Sequence, residues 1–109
     1  MQVFYYICPK YPRMEAIIQK IKTYLKSQPV NKAWIFGSFA RGEDNDSSDI
    51  DILVDFDNDN YPSLLKHAGM INDLEDILHL KVDLVPHDCI YPSFRSNIER
   101  DRILVYERR

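Results

Sequence analysis

The sequence predicts a small α/β or α+β domain, a mixed β-sheet with helices packed on it. Three observations carry that prediction. Short apolar runs end in turn residues ("KAWIFGS", "IDILVDF", "KVDLVP"), and two longer stretches repeat their apolar residues at helical spacing. The resulting order of helix, strand, strand, helix, strand, helix mixes neighbouring strands with a crossover helix. With 109 residues there is room for one modest core and no separate recognition domain.

The elements follow in order. Residues 1–13 combine aromatics with Pro9 and Pro12 and read as an N-terminal arm ahead of a domain spanning 14–109, with Met14 as an alternative start of translation. From Met14, the apolar residues Ile17, Ile18, Ile21, Tyr24 and Leu25 share one helical face, and Pro29 stops the pattern. Ala33–Phe36 reads as a buried strand that turns at Gly37, after which Ser38 caps a brief helix. "DNDSSD" is a polar loop.

In "IDILVDF", alternation puts Ile50, Ile52, Val54 and Phe56 on one face, and Asp51, Leu53 and Asp55 with the preceding Asp49 on the other. Pro62 suits the first turn of a second amphipathic helix, whose stripe is Leu64, Leu65, Ala68, Ile71, Leu74, Ile77 and Leu78, reaching His79. A third strand sets Val82 and Leu84 against Asp83 and Val85, and Pro86 closes it. A last helix covers part of Pro92–Asp101, and "ILVYE" finishes as an edge strand or a helical end.

Composition narrows the function classes. Fourteen basic residues against 17 acidic ones give a net charge of -3, which builds no basic face for nonspecific nucleic-acid binding. Cys8 and Cys89 fit neither a CxxC nor a metal-knuckle spacing, and no secretory signal or membrane-spanning run is evident. The expectation is a soluble cytoplasmic protein.

The chemistry lies in the carboxylates. Asp49, Asp51 and Asp83 each sit in or at the start of an apolar strand, and two share a face by parity. Such a cluster is costly unless a cation neutralises it, and carboxylate oxygens suit magnesium shared with substrate phosphates. Two such ions activate an attacking oxygen and stabilise a leaving one. Asp83 joins only if its strand lies beside that of Asp49. The Gly37-Ser38 turn offers backbone N–H groups and a hydroxyl to phosphate. Arg41 either reaches a phosphate or pairs with Glu43 or Asp44. A calcium loop starting at Asp44 is rejected, because Asp49 and Asp55 stand where glycine and glutamate are required.

"GSFARGEDNDSSDIDILVDF" with "KVDLV" resembles the signature of the DNA polymerase beta-type nucleotidyltransferase superfamily: Gly-Ser, ten residues, Asp-x-Asp, then a third acidic strand. The "GSxARG" wording and short length resemble the minimal nucleotidyltransferases (MNT) encoded beside HEPN partners, over roughly residues 14–106. That resemblance implies two Mg2+ ions on Asp49 and Asp51, with Asp83 completing the site as metal ligand or as base, and Gly37 and Ser38 on the triphosphate. It further implies adenylyl transfer from ATP to a tyrosine of a HEPN toxin, making the chain an antitoxin; the sequence leaves open whether it forms a homo- or hetero-oligomer. Nucleotidyl transfer to a small molecule such as an aminoglycoside, and masking of the partner by binding alone, are the other readings.

His67, His79 and His87 have no ligand spacing and read as surface or helix-end residues, and Asp55 reads as solvent-exposed. Tyr5, Tyr6, Tyr91 and Tyr106 read as aromatic packing.

Overall fold

A computed structural model describes residues 12–42, 49–90, 93 and 100–108. Helix α1 (Pro12–Leu25) is followed by strand β1 (Val30–Phe36) and a four-residue helix, α2 (Ser38–Arg41). Strand β2 (Ile50–Phe56), helix α3 (Leu64–Leu78), strand β3 (Val82–Pro86) and strand β4 (Ile103–Glu107) complete the fold. The four strands form one mixed sheet in the order β3-β2-β1-β4. β1 is antiparallel to both β2 and β4, whereas β2 and β3, joined through α3, run parallel.

"ILVYE" is thus an edge strand, the first of the two expected outcomes. In the preceding segment Ser93, Arg100 and Asp101 are helical, and its other residues lie outside the described ones, as do residues 1–11.

One sheet face carries the core. Ile50, Ile52, Val54 and Phe56 meet Ala33, Ile35, Val82, Leu84 and Val105 beneath α1 and α3. α1 presents the predicted stripe: Ile17, Ile18, Ile21 and Leu25 are buried, and each fully buried aliphatic side chain of this kind contributes about 1.5–3 kcal/mol. The helix opens at Pro12, inside the expected arm, because a first-turn proline has no backbone N–H to leave unpaired. The Tyr24 hydroxyl donates to Asp73 Oδ2 at 2.7 Å, tying α1 to α3. Burial, reinforced by that hydrogen bond, pushes the Tyr24 phenol above its usual range, so it stays a donor at neutral pH.

Two sequence expectations are corrected. β1 begins at Val30 rather than Ala33, because Lys32 and Asn31, although polar, pair at the sheet's rim. In α3 the stripe holds from Ile71 onward, where Leu74 and Leu78 are buried and Ile71 and Ile77 pack against the core, but Leu64, Leu65 and Ala68 are exposed and Met70, outside the predicted stripe, is buried. The helix starts from Ser63, whose side chain accepts from Lys66 N at 3.1 Å, so Pro62 precedes the cap instead of occupying the first turn. It ends where His79 adopts a left-handed conformation, φ 57°.

Candidate active site

The strand register assembles the site. Asp51, second residue of β2, pairs with Phe36 at the end of β1 on one side and with Asp83 of β3 on the other. Side chains opposite one another across a register point to the same face. Asp51 and Asp83 therefore project together, on the face away from the helical core. Asp49 shares their parity two residues earlier, roughly 7 Å along the strand at ordinary rise. Asp49 and Asp83 are exposed and Asp51 is half-buried, so the cluster opens to solvent. Asp55, on the same face but toward the other end of β2, is paired in register with Lys32.

The turn after β1 completes the arrangement. Gly37 has φ +76°, and a Cβ placed there would collide with the Asp51 carboxylate. Only glycine lets the backbone pass this close in this conformation. The Gly-Ser turn thus lies directly against one of the carboxylates, a contact that sequence spacing suggests but does not establish. The Ser38 hydroxyl and Arg41 guanidinium lie outside the described set.

The neighbouring elements hold this end of the sheet in place. Ile50 N donates to Lys81 O at 2.9 Å, and Val82 N donates to Glu75 Oε2 at 3.0 Å, fastening the start of β3 to β2 and α3. On the same face, Leu53 and Trp34 are buried outside the main core. Trp34 carries the Arg102 guanidinium 4.4 Å from its ring centroid, and the His87 ring lies 5.7 Å away. Neither residue stands out in the sequence, since β4 and the turn after β3 bring them over Trp34 from distant positions.

Among the described residues, no three Asp, Glu, His or Cys side chains stand together as a ready cage for an ion. Asp51 and Asp83 side by side, with Asp49 beyond, form an open set of hard oxygen donors. That chemistry fits a divalent cation whose remaining positions are taken by water and phosphate oxygens.

A glycine turn against a strand-borne carboxylate pair is the geometry expected of phosphate-transfer chemistry, and a family model described as "Nucleotidyltransferase domain" matches residues 18–105. The chain belongs to this nucleotidyltransferase family. A Methanocaldococcus jannaschii relative, named provisionally as a protein adenylyltransferase, is 45% identical over 94 residues, 84% of this chain and 94% of its own length. The protein adenylyltransferase MntA of Thermococcus cleftensis is 37% identical over 93 residues, 84% of this chain and 92% of its own. Among solved structures, the fold matches a chain of the complex between tri-AMPylated Shewanella oneidensis HEPN toxin and MNT antitoxin. That match has a TM-score of 0.67 at 18% identity and covers 87% of this chain and 73% of the other. The nucleotidyltransferase domain here is thus a mixed four-stranded sheet with its acidic cluster on β2 and β3, at the end of the sheet where β1 runs into the glycine turn.

Proposed function

We propose that this nucleotidyltransferase is a magnesium-dependent protein adenylyltransferase of the cytoplasm. It transfers AMP from ATP to a tyrosine of a HEPN-type toxin and so acts as that toxin's antitoxin. The observation that carries the reading is the register setting Asp83 beside Asp51, with the Gly37 turn against Asp51 on its other flank. Relatives named for protein adenylylation, and the MNT antitoxin bound to an AMPylated HEPN toxin, support the choice of acceptor.

In this reading Asp49 and Asp51 hold the magnesium, with Asp83 as the third acidic member. The metal, when bound, neutralises charge on the phosphates and lowers the barrier to displacement at phosphorus. The turn at Gly37 and Ser38 orients the triphosphate through backbone N–H groups, and Arg41 assists there. Asp83, exposed at the rim, takes the proton of the tyrosine hydroxyl as its oxygen bonds to the α-phosphorus. The bond from the α-phosphorus to the bridging oxygen breaks, and pyrophosphate leaves.

The test combines the purified chain, Mg2+, α-phosphate-labelled ATP and the HEPN-type partner. Label on the partner's tyrosine, lost when Asp49→Asn and Asp51→Asn are combined, is the expected result. Continued protection of cells by a folded double variant would instead show neutralisation by masking. Transfer to an aminoglycoside with none to protein would move the reaction to a small-molecule acceptor.

A further inference from the structure

Arg102 stands immediately before β4, and the register there pairs Ile35 with Ile103 and Trp34 with Leu104. Continued by one residue, it sets Arg102 level with Phe36, the residue paired with Asp51. Asp83, Asp51, Phe36 and Arg102 therefore occupy one row across the acidic end of the sheet. Alternation puts Arg102 on the same face as Trp34, in accord with its guanidinium lying 4.4 Å from the indole centroid. Two strand spacings, about 10 Å, separate its backbone from that of Asp51, and the end of β1 with the Gly37 turn lies between them.

Arg102 Nη1 is buried and has no hydrogen-bond partner among the described residues. Stacking on an indole fixes a guanidinium but uses none of its N–H donors, and a desolvated cationic donor without an acceptor is unfavourable. Arg102 as a whole is only part-buried, and a phosphate at the exposed edge of this indole-held guanidinium supplies the acceptor that its fork geometry fits best.

We propose that Arg102 is a substrate-binding residue that takes the β- and γ-phosphates of the nucleoside triphosphate, across the Gly37 turn from the carboxylates. This rests on the nucleotidyl-transfer reading. It assigns the leaving pyrophosphate to the β4 side of the turn and the α-phosphate to the β2 side. Trp34, the chain's one tryptophan, then reports occupancy of the site through its fluorescence.

The test titrates the full chain with Mg-ATP, AMP and inorganic tripolyphosphate, following Trp34 emission and, independently, the heat of binding. Mg-ATP and tripolyphosphate are expected to shift the emission, and AMP to leave it nearly unchanged. Arg102→Gln should raise the half-saturating concentration of both polyphosphates about tenfold or more, as loss of a charge-assisted hydrogen bond predicts, without altering AMP. KM for ATP should rise by more than kcat falls. Arg102→Lys, which keeps the charge and the stem over the indole, should recover part of the loss, and circular dichroism checks that each variant is folded. Arg102→Gln and Arg102→Lys both binding polyphosphate like the parent would overturn the assignment while leaving AMP transfer standing. Polyphosphate binding that depends on Arg102 in a chain that transfers no AMP would support the assignment and remove the reaction. Binding of neither ATP nor tripolyphosphate would remove both.

Discussion

Gly37 is the residue at which sequence, backbone and chemistry converge most tightly. Its φ of +76° and the Asp51 carboxylate standing where a Cβ would go mean that Gly37→Ala meets two penalties together. The substitution should destabilise the fold by about 1–3 kcal/mol, read from denaturant midpoints. Transfer should fall further than stability does, because relief of the clash moves Asp51 itself. Parity along β2 makes the common face of Asp49 and Asp51 readable from sequence, since alternation is a property of the strand alone. No comparable local rule connects Gly37 to the side chain of Asp51.

At the scale of the element, α3 shows how a periodic pattern can be read correctly as a helix and as a face from Ile71 onward, yet fail at Leu64, Leu65 and Ala68. Leu64 and Leu65 are 87% and 84% exposed, while Met70 and Leu74 are within 1% of full burial. Leu74→Ala should therefore cost about 2–5 kcal/mol. Leu65→Gln should change stability by about 0.5 kcal/mol or less, and chemical denaturation of the two variants side by side checks the contrast. In the first turn of α3 it is His67 that meets the sheet, its Nε2 2.9 Å from Leu84 O, while Leu64 and Leu65 satisfy the helical period but face solvent. Ser63→Ala removes the acceptor for Lys66 N and should cost about 1 kcal/mol. At the other end, Glu75 accepts from Val82 N, so the same helix positions the start of the strand that delivers Asp83.

Across the whole molecule, opposite ends of the sheet do different work. At the end away from the carboxylates, Arg108 Nη1 lies 3.1 Å from Asp57 Oδ2, joining the chain's last described residue to the exit of β2. The Asp59 backbone N–H, with Arg108 and Asn60, holds the Asp57 carboxyl below its usual value. A carboxyl lowered by folding contributes stability above its unfolded-state value and loses it as pH falls through its folded-state value. The stability difference between the parent and Asp57→Asn should accordingly be present at neutral pH and vanish in acid, followed by thermal unfolding across that range. At the acidic end the expected response is to metal. Mg2+ should raise the melting temperature of the parent and leave that of the Asp49→Asn/Asp51→Asn variant unchanged, because a ligand stabilises only the state that binds it.

Taken alone, the sequence determines the elements and much of the facing of residues within them: the stripe of α1, the alternation of β2 and the turn at Gly37. These follow from periodicity and backbone preference, which act over a few residues. Tertiary structure decides what depends on pairing between distant segments. It sets β3 rather than β4 beside β2, brings Asp83 level with Asp51, leaves Leu64 and Leu65 of α3 exposed and lays Arg102 on Trp34. Strand order and register are fixed by the packing of the whole sheet against α1 and α3, and no local pattern encodes them.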